Sequence, residues 1–291
     1  KWTVETMHEA QWGNVTLQAA TLVTNSNSGT VYQDLQYAYT EDGNLTTIVD
    51  HTVAGGAGDQ AMTYDSLDRL TEADGPYGTG GATASMTYSY DELGNLTANS
   101  QVGSYTYPTS GSSSVRPHAV STAGSSSYTY DANGNMTAGA GRSFTYNLEN
   151  KPLTITIGAQ TTTFVYDGDG GRVKKIVGST TTRYISQLYE CENTSCSRMI
   201  FAGSERVATL VPSGGVHYYH PDHLGSSSVI TDETGAKVQA LTYYPYGATR
   251  TNNSPVTPAV DVPYKYTGQE LDASTALYNY EARQYEAALG R

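Results

Sequence analysis

An all-β, antiparallel fold is what this sequence predicts, on three observations. The 291-residue chain holds 25 Tyr against 3 Phe and 2 Trp. Tyr favours strands, and its hydroxyl can reach water or a polar partner at the edge of a sheet. Charged residues are only 15% of the chain, while Gly (30), Ser and Thr abound and helix formers are scarce. The third observation is a tyrosine-centred motif that recurs along the chain.

The motif is seen first as Tyr37-x-Tyr39-x-x-x-Gly43-Asn44-Leu45-Thr46. It returns as Tyr88-x-Tyr90-Asp91-x-x-Gly94-Asn95-Leu96-Thr97 and as Tyr128-x-Tyr130-Asp131-x-x-Gly134-Asn135-Met136-Thr137. Weaker copies centre on Tyr64-Asp65, on Tyr146, and on Tyr166-Asp167. Tyr-x-Tyr is a period-two strand with both rings on one face. The Asp that follows accepts from backbone amides two residues on, as an Asx-turn. Gly-Asn tolerates the positive φ of a tight hairpin, and Leu-Thr opens the returning strand. Each copy therefore reads as a β-hairpin corner, and Asp42, Asp65, Asp91 and Asp131 are turn-formers in the first instance. Gly- and Ser-rich stretches such as 55–58, 75–81 and 110–114 read as hairpin tips, because strand signals resume on either side. No domain boundary is expected before about residue 215.

Lys plus Arg is 16 and Asp plus Glu is 28, a formal net charge of −12. That balance excludes a basic face for nucleic acid and disfavours anionic lipid. No apolar run approaches the ~18–20 residues of a membrane span, so no insertion is expected. Lys1-Trp2-Thr3-Val4 shows neither the basic nor the apolar region of an export signal. Any such signal is expected upstream, or the export route uses none. Cys191 and Cys196 flank turn-prone Asn193, Thr194 and Ser195, which makes a disulfide across a hairpin sterically plausible and favours an oxidising compartment. Two free thiols are the alternative.

The last quarter of the chain carries a second set of motifs. These are Tyr218-Tyr219-His220-Pro221-Asp222-His223-Leu224-Gly225-Ser226, Tyr244-Pro245-Tyr246-Gly247, Tyr266-Thr267-Gly268-Gln269-Glu270-Leu271-Asp272, Leu277-x-x-Tyr280-x-x-Arg283, and the final Leu289-Gly290-Arg291. In this order, and with the corners before them, they resemble the RHS/YD-repeat proteins and their RHS repeat-associated core, from about residue 31 onward. The resemblance implies antiparallel hairpins wound into a shell, spiral or open barrel over residues 1–215. Residues 216–291 would be a core that plugs one end, with His220, Asp222, His223, Gly225, Gly268, Glu270 and Arg283 as its motif positions. The family includes bacterial polymorphic toxins, insecticidal toxin complexes, wall-associated proteins and animal teneurins. The implied role is a structural scaffold that encloses or displays a C-terminal cargo polypeptide, or that touches a cell-surface protein or glycan. A secreted or cell-surface location in a bacterium and no cofactor are implied with it. Toxin-type members continue past Leu-Gly-Arg into a self-cleaving aspartate segment. This sequence stops at Arg291, so no catalytic residue is carried over, and a shorter, partly open barrel or spiral, or a fragment of a longer shell, is expected.

Other chemistries compete with these turns for the same residues. His217, His220, Asp222 and His223 lie within seven residues and could ligate a transition metal in a hydrolase. Strand alternation would send His217 and His220 to opposite faces, and Pro221 breaks the strand, so a structural turn is preferred. Asp167-Gly168-Asp169-Gly170 resembles the start of a calcium loop but lacks its closing Glu. No Gly-x-Ser-x-Gly elbow, phosphate loop or dinucleotide fingerprint is present. The sequons at Asn14, Asn44, Asn95, Asn135, Asn193 and Asn252 overlap the repeat three times, so they report turn chemistry. Residues 276–291 are the best helical candidate, either a short plug helix stopped by Gly290 or a coil held by tyrosine packing. Open sheet edges could pair between copies of the chain.

Overall fold

The computed structural model describes residues 19–25 and 29–291; the Asn14 sequon and the Lys1–Val4 start lie outside the described residues. One antiparallel sheet of 23 strands runs from Ala19–Asn25 to Thr249–Asn253. Strands pair in chain order, so the sheet is an uninterrupted meander. Among the described residues its two end strands each pair on one side only. Because neighbours are antiparallel, every second turn falls on the same margin. The tyrosine-centred corners therefore gather on one rim.

The corner at 91–95 shows how each is built. The Asp91 amide donates to Asn95 O (3.0 Å) and the Gly94 amide to Asp91 O (3.1 Å). Asp91 Oδ1 accepts from the amides of Leu93 (2.9 Å) and Asn95 (2.8 Å), and Oδ2 accepts from Asn95 Nδ2 (2.8 Å). Gly94 sits at φ 80° and Gly134 at φ 89°, where a side chain is strained. The same backbone ring closes at 40–44, 65–69, 131–135, 147–151 and 167–171, and also at 211–215, 222–226, 232–236, 244–248 and 265–269. At Asp131 the Asn135 side-chain hydrogen bond, with the turn amides, holds the carboxyl below its usual range. Corners also link along the rim: Asn44 Nδ2 donates to Asp68 Oδ1 (2.6 Å) and Arg69 to Asp91 O (3.0 Å).

Each tyrosine corner also shifts the strand register by one residue, a β-bulge on the returning strand, as between Ser89 and Tyr90 or Thr129 and Tyr130. The buried positions after a corner are therefore i and i+3: Leu96 and Asn99, Pro152 and Ile155. The corner tyrosine reaches inward and donates to a carbonyl at the start of the previous return strand or, for Tyr130, just ahead of it. Tyr64 bonds Leu45 O (2.8 Å), Tyr90 Leu70 O (2.8 Å), Tyr130 Val120 O (2.9 Å), Tyr146 Met136 O (2.8 Å) and Tyr166 Pro152 O (2.9 Å). Burial raises the Tyr146 and Tyr166 hydroxyls to about 12, so they remain donors at any ordinary pH. The intervening threonines face out and pair across strands, Thr129 with Thr137 (2.9 Å) and Thr145 with Thr154 (2.7 Å).

The meander curls until its ends meet through side chains. Tyr90 and Tyr246 hydroxyls touch at 2.6 Å, Arg250 donates to Pro76 O (3.1 Å), and the Tyr37 ring lies 4.6 Å from that of His223. Residue 215 is a turn within the sheet, since Glu205–Leu210 pairs with Val216–Pro221. The architecture changes only after Asn253, where a separate three-stranded sheet of Glu270–Asp272, Leu277–Asn279 and Gln284–Tyr285 begins. The expected helix over 276–291 is not formed. Ala276 (φ 56°) and Glu281 (φ 57°) take left-handed conformations that end any helix, and Leu277 and Tyr278 are buried as consecutive strand residues. Cys191 and Cys196 are bonded, as direct partners across a hairpin.

Replacing Gly94 or Gly134 by Val forces a branched side chain to positive φ, and each variant is expected to lose about 1–3 kcal/mol. Urea titration checks this. Unchanged midpoints in both variants would refute the corner geometry.

Candidate functional site: a buried ion clamp and its cavity

The strand that leaves the 167–171 corner, Arg172–Val177, begins with the bulge, so Arg172 and Lys175 share its inner face instead of opposing one another. Across from them stands Glu270–Asp272, the first strand of the C-terminal sheet. Arg172 bonds Asp272 Oδ2 (2.7 Å) and also Glu270, while Lys175 Nζ reaches Glu270 Oε1 (2.7 Å) and Asp272 Oδ1 (2.5 Å). Tyr184 donates to Glu270 Oε1 (2.8 Å), and its ring lies under the Arg172 guanidinium at 4.7 Å. The Asp272 side chain is fully buried and that of Arg172 is 4% exposed. Two cations and two anions balance, which is what allows the group to stay buried. Burial opposes charge on Glu270, but Arg172 and Lys175 outweigh it and hold its carboxyl below its usual range. Burial, with Glu270 beside it, pushes the Asp272 carboxyl up.

Other contacts seat the C-terminal segment against the wall and its rim. Arg142 binds Glu286 (2.9 Å) and Thr275 O (2.8 Å), and Tyr105 donates to Leu289 O (3.1 Å). Leu277 packs with Phe144, Ile155 and Phe164. At the rim, Lys151 reaches Glu281 O (3.0 Å), Tyr285 donates to Tyr246 O (2.8 Å), and Arg291 bonds Tyr107 and His118 O. The segment thus lies inside the curl and closes the mouth framed by the corners.

Closure is incomplete in one sector. Between the 167–171 and 222–226 corners the rim is made of tight turns at 187–188 and 203–204, and Tyr184 bonds Glu270 instead of a wall carbonyl. A cavity of about 710 Å³ opens there, lined by Asp167, Arg172, Tyr184, Glu205, Arg206, Tyr264, Glu270 and Glu281 among others.

The motif residues singled out from sequence are spread over the corners. Tyr39, Gly43, Asn44, Tyr166 and Asp167 are corner positions like those at 90–95 and 130–135. Asn95 is buried and bonds Asp91 and Pro117 O, so its sequon is a turn device. Asp167 Oδ1 accepts from the amides of Asp169 (3.0 Å) and Gly171 (2.8 Å), as a corner Asp does. His220, Asp222, His223 and His217 do not converge: His220 Nε2 pairs with Thr231 (3.0 Å), Asp222 caps the amides of Leu224 and Ser226, and His223 rests on Tyr37. Among the described residues no group of three His, Cys, Asp or Glu side chains is arranged to hold a metal ion. Gly225 and Gly268 take positive φ at their corners, Glu270 is in the clamp, and Arg283 is exposed. Arg172, Lys175, Tyr184 and Arg142 were not anticipated. Their one signal is the Arg172-x-x-Lys175 spacing directly after a corner, which places both inside only once the bulge is known.

A curled meander of tyrosine-linked corners, closed by a clamped C-terminal segment, defines a YD-shell protein. The sequence pattern of the Teneurin YD-shell family matches residues 57–291, and the chain belongs to that family. It is 26% identical over 239 residues to the tRNA3(Ser)-specific nuclease WapA of Bacillus spizizenii, spanning 78% of this chain and 10% of that protein. It is 25% identical to Double-stranded DNA deaminase toxin A of Burkholderia cenocepacia (81% and 20%) and 24% identical to toxin subunit YenC1 of Yersinia entomophaga (90% and 34%). The chain therefore spans between 10% and 34% of these relatives' lengths. Among solved structures it resembles the TcdB2-TccC3-Cdc42 crystal structure (TM-score 0.72, 21% identity, 94% of this chain, 17% of that one). The Photorhabdus luminescens Tc holotoxin pore is also similar (TM-score 0.74, 22%, 93% and 16%). These structures share its fold.

Arg172→Ala leaves Glu270 and Asp272 short of a cation, and the expected loss is about 3–5 kcal/mol by denaturant titration. A change below about 1 kcal/mol would show that the clamp is not buried as described. A second expectation concerns pH. Burial depresses His220 from 6.5 to about 4, so below 6.5 the unfolded chain takes a proton that the fold refuses. Stability should fall as pH drops from 6.5 toward 4, with His220 contributing on the order of 3 kcal/mol. His220→Gln, neutral throughout, should flatten that fall, as followed by urea midpoints at each pH.

Proposed function

We propose that this chain is a wall-and-closure segment of an exported bacterial shell that encloses or displays a polypeptide. The observation that carries the reading is the buried clamp, which fastens a C-terminal segment inside the curl at the rim. A structural scaffold needs this immobility. The chain's share of its relatives' lengths, 10% to 34%, supports a segment of a larger shell. In this reading the corner-built wall runs on past the boundary expected at 215 to Asn253, and the segment beyond it supplies the closure. A nuclease, a deaminase and toxin subunits among the relatives make a toxic polypeptide the natural cargo.

The test is protease protection. A reporter polypeptide joined after Arg291 is expected to resist digestion longer than the free reporter, and to lose that protection in the Arg172→Ala variant. Digestion at the free rate would overturn enclosure and leave display at the surface.

A further inference from the structure

The clamp holds three side chains in the relation that an amide cross-link needs. Lys175 Nζ lies 2.5 Å from Asp272 Oδ1 and 2.7 Å from Glu270 Oε1, so one amine touches two carboxyl groups at once. Arg172 holds the other Asp272 oxygen, Oδ2, at 2.7 Å, and Tyr184 donates to Glu270 Oε1 at 2.8 Å. The Asp272 side chain is fully buried, and those of Glu270 and Lys175 are 8% and 15% exposed. Two separate strands, Arg172–Val177 and Glu270–Asp272, present these groups to one another. An amine and a carboxyl held in contact react as a unimolecular pair, which removes the entropy cost of their encounter.

The two carboxyl groups are not equivalent. Burial, with Glu270 beside it, pushes Asp272 toward its neutral acid form, the form an amine attacks. Burial opposes charge on Glu270, but Arg172 and Lys175 keep it ionised, the form that accepts a proton. Burial also opposes charge on Lys175, although the two carboxylates outweigh it and the resting amine keeps its proton. Handing that proton across the 2.5 Å contact to Asp272 leaves a neutral pair with no change in net charge. A buried neutral pair sheds the desolvation cost of an ion pair. A reaction that happens once per molecule and does not reverse needs that state only fleetingly.

We propose that Lys175 and Asp272 form an intramolecular amide bond, with Glu270 as the general base. Lys175 Nζ attacks Asp272 Cγ, and Arg172 stabilises the negative charge that develops on Oδ2. Glu270 takes a proton from the nitrogen and returns it to Oδ1. The Cγ–Oδ1 bond then breaks, and one water leaves into the cavity lined by Arg172, Tyr184 and Glu270. No oxidant or cofactor enters the balance, and Arg172 and Glu270 remain as an ion pair. The bond goes beyond the shell reading, because it makes the closure covalent whether or not anything is enclosed. Intact mass spectrometry of the full chain, reduced and unfolded, tests it. The mass is expected to fall short of the sequence mass by one water, and digestion should yield a branched peptide joining Lys175 to Asp272. Lys175→Arg, which keeps the charge but cannot form this bond, should show the full mass. Glu270→Gln should slow the loss of water on the order of a hundredfold; loss at the native rate would overturn the role of Glu270. Full sequence mass in the native chain would overturn the bond without any variant. So would a lost water mapped elsewhere, such as the Asp42-Gly43 or Asp167-Gly168 turns, where Asp-Gly cyclisation also sheds water.

Discussion

The hydroxyl of a corner tyrosine donating to a carbonyl at, or just ahead of, the start of the previous return strand is the contact on which the wall depends. Ladder hydrogen bonds alone would leave a twisted meander free to splay. Tyr64, Tyr90, Tyr130, Tyr146 and Tyr166 each bridge two strands to the next corner, always on the inner face. One such bond contributes only about 1 kcal/mol net, so its effect comes from repetition at every second turn. The bulge belongs to the same device. By adding a residue to the return strand it bends the sheet and turns the next apolar side chain inward.

The clamp uses a different kind of energy. Desolvating two cations and two anions offsets much of their mutual attraction, and a well-packed apolar group of equal volume could hold as tightly. What the ions supply is position: Arg172 and Lys175 accept only a strand presenting carboxylates at Glu270 and Asp272, whose side chains point the same way two residues apart. A leucine-lined wall would tolerate several registers of the C-terminal strand. The apolar contacts of Leu277 and Leu289 then add burial to an arrangement the charges have selected.

Much of the corner chemistry was legible, and much of the site was not, for one reason. Asp91, Gly94 and Asn95 make their defining bonds within five residues, so spacing reveals them. Corners such as 211–215 and 244–248 keep the backbone ring and the glycine but lack the Asp, and so escaped a reading that depended on the side chain. The cluster of His217, His220, Asp222 and His223 looked like a ligand set because it is dense in sequence. The corner disperses it, since Asp222 is committed to turn amides and His220 to Thr231. Residues 276–291 looked helical by spacing. Their tyrosines instead pack edge-on in extended chain, Tyr266 against Tyr278 and Tyr280 against Tyr285.

The sequence by itself determined the all-β class, the hairpin corners and the family, because these follow from hydrogen bonds closed within a few residues and repeated at constant internal spacing. Only the tertiary structure decided which strand meets which segment. Arg172 finds Asp272 100 residues away, and Tyr105 finds Leu289 at a separation of 184. Those pairings depend on how far the bulges curl the sheet. Curvature is a sum over all the corners, so no single stretch of sequence carries it.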